Sequence, residues 1–253
     1  MRIDINSDTG ESFGAYTIGH DAGLFRSITS ANVAAGFHAG DPSVLRATIR
    51  LAKARGVAVG AHPGFPDLAG FGRRELNVTP QEAEDLVLYQ VAAVAGVAAA
   101  EGVTIQHVKP HGALFNMAVR NAGLASAIAR AVAAFDKTLI LFGLPGSEIL
   151  NAGRAAGLRV AAEVFADRAY EADGSLASRR KPGSVIHDAT TVVARAVRMV
   201  NERSVVAIDG SVVALEADTI CVHGDTPGSD DLAAEIRAGL EAAGITVKAI
   251  GQA

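Results

Sequence analysis

Seven times along this chain a short apolar run stops and a knot of polar residues follows it. Ile3-Asp4-Ile5-Asn6 leads into Ser7-Asp8-Thr9-Gly10-Glu11, and Ser30-Ala31-Asn32-Val33-Ala34-Ala35 leads into Gly36-Phe37-His38. Val57–Ala61 is followed by His62-Pro63-Gly64, and Ile105–Val108 by Lys109-Pro110-His111-Gly112. Leu139–Phe142 leads to Gly143-Leu144-Pro145-Gly146, Arg159–Ala162 to Glu163 and Asp167-Arg168, and Ile220–Val222 to His223-Gly224-Asp225. A parallel β/α barrel gathers the carboxyl ends of its strands at one rim, so polar residues far apart in sequence converge there on one pocket. The pattern reads as a TIM-like (β/α) barrel and as an enzyme.

The helical segments between these runs agree with that reading. Asp41-Pro42 reads as an N-cap followed by proline at the first helical position, and Gly56 as the stop. Thr79-Pro80-Gln81-Glu82 is a capping box opening the longest helix, which runs to about Glu101. Further helices are expected at 119–134, 147–156, 188–202 and 229–243, and this strand–helix alternation favours a parallel sheet. Asp209-Gly210 between two apolar runs predicts a hairpin added to the barrel. Two long aperiodic segments, 62–78 with Arg73-Arg74 and 165–187 with Asp167 and Arg168, read as lids or binding loops.

Length and charge narrow the classes. At 253 residues the chain matches one barrel, so a single domain over 1–253 is expected. A net charge of −4 supplies no basic field for nucleic acid or an anionic membrane. No uncharged apolar stretch is long enough to span a bilayer, and no secretory leader opens the sequence, so a cytoplasmic protein is expected. The lone Cys221 can make no internal disulfide.

The polar knots supply the chemistry. Asp8 and Glu11 are candidate proton acceptors, because neighbouring carboxylates raise each other's pKa toward neutrality. His38, His62, His111 and His223 all follow strands and suit acid–base work or metal ligation. Their spacing matches no compact metal motif, so no metal is assigned from it. Lys109, at a strand end, can face a developing oxyanion, a phosphoryl group or a carboxylate. Asp8, Glu11, His62, Lys109 and His111 are therefore the catalytic candidates. Asn6, Asn32, His38, Arg73, Arg74, Glu163, Arg168, His223 and Asp225 are the substrate-binding candidates. His107, inside an apolar run, reads as structural. No nucleotide loop of the G-x-x-x-x-G-K-[ST] or G-x-G-x-x-G type is present.

Seven blocks, Asp4–Glu11, Ser30–Pro42, Gly60–Asp67, Gly70–Arg74, Val108–Asn116, Glu163–Arg168 and Val222–Pro227, resemble the signature segments of the LamB/YcsF family, the A subunits of 5-oxoprolinase. Ala35 stands where that family often carries cysteine, and Phe115 where it commonly carries tyrosine. The resemblance implies a seven-stranded barrel of the glycoside hydrolase/deacetylase type. It also implies ATP-dependent opening of 5-oxoproline to L-glutamate together with partner subunits B and C. ATP would then act at the level of the complex, with water added here to a phosphorylated lactam. Two rival expectations are a metal-dependent carbohydrate or amide deacetylase, and a non-catalytic subunit that positions the intermediate.

Overall fold

The computed structural model describes residues 1–178, 180–222, 224 and 228–251. His223 and Asp225, expected at the site, lie outside these described residues. The chain opens with β1 (Arg2–Thr9), α1 (Asp21–Leu24), β2 (Ser30–Ala34), α2 (Pro42–Arg55) and β3 (Ala58–His62). Next come α3 (Pro80–Ala100), β4 (His107–Val108), α4 (Gly112–Ala118), α5 (Ala122–Phe135), β5 (Ile140–Gly143) and α6 (Glu148–Ala155). The last third holds β6 (Arg159–Phe165), α7 (Ala189–Asn201), β7 (Ser204–Val206), β8 (Val212–Ala214), β9 (Thr219–Val222), α8 (Ser229–Ala242) and β10 (Thr246–Val247).

Strands β1, β2, β3, β4, β5, β6 and β9 run parallel in that order, and β9 pairs back onto β1. The result is a closed, seven-stranded parallel barrel with helices around it, the TIM-like architecture expected from the polar knots. Closure leaves no exposed edge strand in the barrel wall. β10 adds to β1 through Arg2 and Ile3, and β7 with β8 form the expected antiparallel hairpin outside the barrel.

Local chemistry accounts for the elements. Asp41 caps α2 by accepting from the amides of Ser43 and Val44, and Gly56 ends it in the left-handed region. The Thr79–Glu82 capping box starts α3 as expected. By length and composition alone α3 is apolar enough to cross a membrane. In the fold its buried residues Ala83, Val87, Val91, Val94 and Ala98 recur at helical spacing, and it packs on α5 and β3. Gln90 on the same face is fully buried; its amide donates to the Gly64 carbonyl and accepts from the Gly64 amide, both at 2.9 Å. One helix thus fixes the start of the 62–78 segment over the barrel mouth.

Three expectations need correction. β6 does not stop at Ala162 but continues to Phe165, so Glu163 is a strand residue rather than a rim residue. The helix expected at 119–134 begins only at Ala122, as α5, and the short α4 before it was not anticipated. The brief α1 and β10 carry too few residues to show a period, and neither was anticipated.

The barrel interior also depends on one missing side chain. Gly60 in β3 faces His107 in β4, and a Cβ on Gly60 would stand 2.2 Å from the imidazole ring. That ring stacks on Phe142 with centroids 4.3 Å apart. Gly60→Ala is expected to destabilise the fold by about 1–3 kcal/mol through overpacking. Urea unfolding with unchanged m-value reads this directly; a midpoint equal to wild type would show that His107 has room to move.

Candidate active site

Strand alternation builds the site. On β1, Ile3 and Ile5 pack in the apolar core, while Asp4, Asn6 and Asp8 share the opposite face. Asp4 forms the floor, accepting from Thr29 Oγ1 at 2.5 Å, Ser30 Oγ at 2.7 Å and Thr219 Oγ1 at 2.5 Å. Burial raises its pKa, and the three hydroxyls only partly offset this. One layer up, Asn6 Nδ2 donates to Thr219 Oγ1 at 2.7 Å. Asn32 Nδ2 donates to Asn6 Oδ1 at 2.8 Å and to Asp8 Oδ1 at 2.9 Å. His107 Nε2 donates to Asn32 Oδ1 at 2.8 Å, because an amide oxygen can only accept. His107 is therefore structural, as expected, but its task is to orient a site residue.

Above this layer Lys109 spans the barrel. Its Nζ lies 2.8 Å from Asp8 Oδ1 on β1, 2.9 Å from Glu163 Oε1 on β6 and 3.1 Å from Cys221 Sγ on β9. Burial alone would push the ammonium down; Asp8 first and then Glu163 outweigh it and hold its pKa well above the ordinary value. Burial likewise pushes the Cys221 thiol well up, with only partial relief from Lys109, so it stays protonated. Asp8 departs from expectation. Burial raises it, but His62 and Lys109 together overcome that and hold the carboxyl well below its usual range. The carboxylate neighbour anticipated from sequence is outweighed by His62 and the Lys109 ammonium. Asp8 is also the most solvent-exposed of these contacts, at 13% against 4% for Lys109 and 0% for Glu163. The cluster meets solvent at Asp8.

Beside Asp8 lie three imidazoles and a second carboxylate. Glu11, His38, His62 and His111 are all buried, and one ligand atom from each lies within 4.8 Å of all the others. These four residues can hold a metal ion. His62 Nδ1 donates to the Lys109 carbonyl at 2.7 Å, and His111 Nε2 donates to the Phe71 carbonyl at 2.8 Å. The remaining nitrogens, His62 Nε2 and His111 Nδ1, face each other at 2.9 Å. His62 Nε2 is also 3.3 Å from Asp8 Oδ2. His38 stacks on His111 with centroids 3.8 Å apart. Burial and then His62 lower His111 to about 3, and burial with His111 and His62 holds His38 well below its ordinary value. Both are neutral imidazoles at pH 7.

The 62–78 segment closes over this group. Phe71 adopts a left-handed backbone with φ 54°, unusual for a non-glycine residue, and in that conformation its carbonyl meets His111. The guanidinium of Arg73 lies 4.9 Å from the Phe71 ring centroid, and its charge helps lower both His38 and His111. Arg74 turns away to pair with Asp67 within the same loop. Arg168 donates to the carbonyls of Ala177 and Ser184, bracing the 165–187 loop. Of the candidates among the described residues, Asn6, Asp8, Glu11, Asn32, His38, His62, Lys109, His111 and Glu163 come together with Arg73 at their edge, while Arg74 and Arg168 serve their own loops. Sequence reasoning left out Asp4, Thr219 and Cys221; the signal was the β9 alternation, which puts Thr219 and Cys221 on one face.

His107 carries a pH prediction. Burial, then the Lys109 charge, lowers its pKa to about 3 from 6.5. The unfolded chain therefore binds a proton between those values that the folded chain does not. Stability from this residue is present above about pH 6.5 and falls as the pH drops toward 3, by about 1.4 kcal/mol per pH unit. His107→Gln, which can still donate to Asn32, is expected to remove that one proton from the slope of urea stability against pH. An unchanged slope would exclude His107 as its source.

Fold and site together define a seven-stranded parallel β/α-barrel protein with a buried lysine–carboxylate–histidine cluster at the carboxyl ends of its strands. The chain belongs to the LamB/YcsF family, whose model matches residues 3–253. It is 54% identical over 249 residues to a protein of Tolumonas auensis named as the A subunit of 5-oxoprolinase, covering 98% of this chain and 99% of that one. It superposes on the crystal structure of a lactam utilization protein from Thermus thermophilus with TM-score 0.95 and 50% identity, covering 99% and 100% of the two chains. A family 4 carbohydrate esterase from Streptomyces lividans shares the fold at 13% identity and TM-score 0.50, covering 99% of this chain and 93% of that one.

Proposed function

We propose that this chain is the ring-opening subunit of an ATP-dependent 5-oxoprolinase, acting as one barrel domain beside subunits B and C in the cytoplasm. The observation that carries this reading is the buried Lys109 ammonium bridging Asp8 and Glu163 at the strand ends. End-to-end identity of 54% to a protein named for 5-oxoprolinase supports the substrate. A lactam is resonance-stabilised and its nitrogen leaves poorly. Transfer of a phosphoryl group from ATP to the amide oxygen makes the ring carbon electrophilic. With no nucleotide loop in this sequence, the proposal gives that transfer to the partners.

Water then adds to the ring carbon, the ring C–N bond breaks to leave an acyl phosphate as both protons of that water pass to the nitrogen, and a second water releases phosphate to leave the carboxylate of glutamate. Asp8, where the cluster meets solvent, accepts the proton from the attacking water and returns it to the departing nitrogen. A carboxyl held this far below its usual value is a strong acid once protonated, which suits the second transfer. His62 and His111, catalytic candidates from sequence, are not given this transfer, since each directs one N–H to a backbone carbonyl. Lys109 stabilises negative charge on the oxygen that water adds to the ring carbon, and Arg73 at the loop edge receives the phosphoryl or substrate carboxylate charge.

Glutamate release from 5-oxoproline and ATP tests the proposal, comparing this chain alone with the three-subunit mixture. Release is expected only from the mixture. No glutamate under either condition would overturn it.

A further inference from the structure

The histidine group poses a problem that the proposed chemistry does not use. His62 and His111 each spend one ring proton on a backbone carbonyl, so as neutral rings they turn two lone pairs on each other at 2.9 Å. Lone pairs at that distance repel unless something positive lies with them. A single shared proton would settle that pair, yet it would leave His38, which is fully buried and has no hydrogen-bond partner on either ring nitrogen among the described residues. Glu11 Oε1 approaches His111 Nδ1 at 3.8 Å and His38 Nε2 at 3.9 Å. Tetrahedral coordination at bond lengths of 2.0–2.1 Å separates neighbouring ligand atoms by about 3.3 Å, a value the distances of 2.9, 3.8 and 3.9 Å bracket.

We propose that Glu11, His38, His62 and His111 bind one divalent transition-metal ion of the zinc class. The N–H groups on the Lys109 and Phe71 carbonyls fix two of the rings in the tautomer a metal requires. Three imidazoles and one carboxylate suit zinc or cobalt rather than magnesium or calcium, which prefer all-oxygen shells. Backbone spacing supports the same assignment: a Cβ on Gly72 would stand 2.7 Å from the His38 Cβ and 2.9 Å from the His111 ring, so the 62–78 loop is shaped to close on these rings. An ion here lies beside Asp8, since His62 Nε2 touches Asp8 Oδ2 at 3.3 Å. It would acidify a water molecule enough for so weak a base as Asp8 to take its proton.

Chelator-treated full-length protein titrated with Zn2+ by calorimetry, and with Co2+ by visible absorption, tests the site. One equivalent of each is expected, with no competition from Mg2+. His38→Ala and His111→Ala are each expected to weaken binding by at least about a hundredfold. Failure of wild type to take up either ion, or uptake unaltered in both variants, would overturn the site. Circular dichroism establishes whether the variants fold; if neither does, Glu11→Gln and the wild-type stoichiometry decide, the proposal failing if Glu11→Gln binds as wild type. Because the readout is metal content, a bound ion without glutamate release would sink the lactam reading alone, and glutamate release without an ion would sink this one alone.

Discussion

Asp8→Asn is expected to lower glutamate release by the three-subunit mixture roughly 10²–10⁴-fold, the usual worth of a positioned acid–base group, while ATP turnover by the partners continues. The substitution preserves shape. An asparagine oxygen can still accept from Asn32 and Lys109, as Asp8 Oδ1 does at 2.9 and 2.8 Å. What is lost is the capacity to take and return a proton. Measuring phosphate and glutamate in the same reaction separates the two activities. Glutamate formation at the wild-type rate would remove Asp8 from the mechanism. Parallel loss of ATP turnover would mean instead that this chain acts before phosphoryl transfer.

Lys109→Met is expected to have the largest effect on stability. Its ammonium is shared by Asp8 and Glu163, and Glu163 is fully buried. Removing one partner from a buried ion pair typically costs about 3–5 kcal/mol, because the other charge is left without compensation. The same variant should release no measurable glutamate, since Lys109 is the cation assigned to the oxygen of the attacking water. Adding Glu163→Gln to Lys109→Met removes the stranded carboxylate, and about 0.5–3 kcal/mol of coupling is expected back. Urea unfolding of the two single variants and the double variant closes the cycle. A loss under about 1 kcal/mol in Lys109→Met would show that the ion group does not hold the barrel together.

The barrel was legible because its signal repeats. Each apolar run followed by His, Lys or carboxylate marks one strand end, and seven of them return as seven paired strands. Capping signals at Asp41 and Thr79 placed helix starts to the residue, since a side chain accepting a backbone amide is a local event. Convergence of Asp8, Lys109, His62 and His111 was likewise readable from strand ends. What escaped was anything decided across strands. Glu163 looked like a rim residue because Ala161-Ala162 gave no alternation to count, and only pairing with β9 keeps that strand going to Phe165. The acidity of Asp8 reversed expectation because its controlling neighbours, His62 and Lys109, are remote in sequence. Cys221 could be read only as a cysteine without a disulfide partner, although register sets it opposite Asn6 and within reach of Lys109.

Seven strands make a tighter ring than the more familiar eight, and a single lysine here reaches side chains on three other staves of it. The interior is thereby already full of its own charges. Libraries that randomise Lys109, Glu163 or Cys221 in search of new substrates should return mostly insoluble clones, whereas diversity placed at the exposed positions of the 165–187 segment should be tolerated and productive. Adaptation in such a protein has to work from the lid downward.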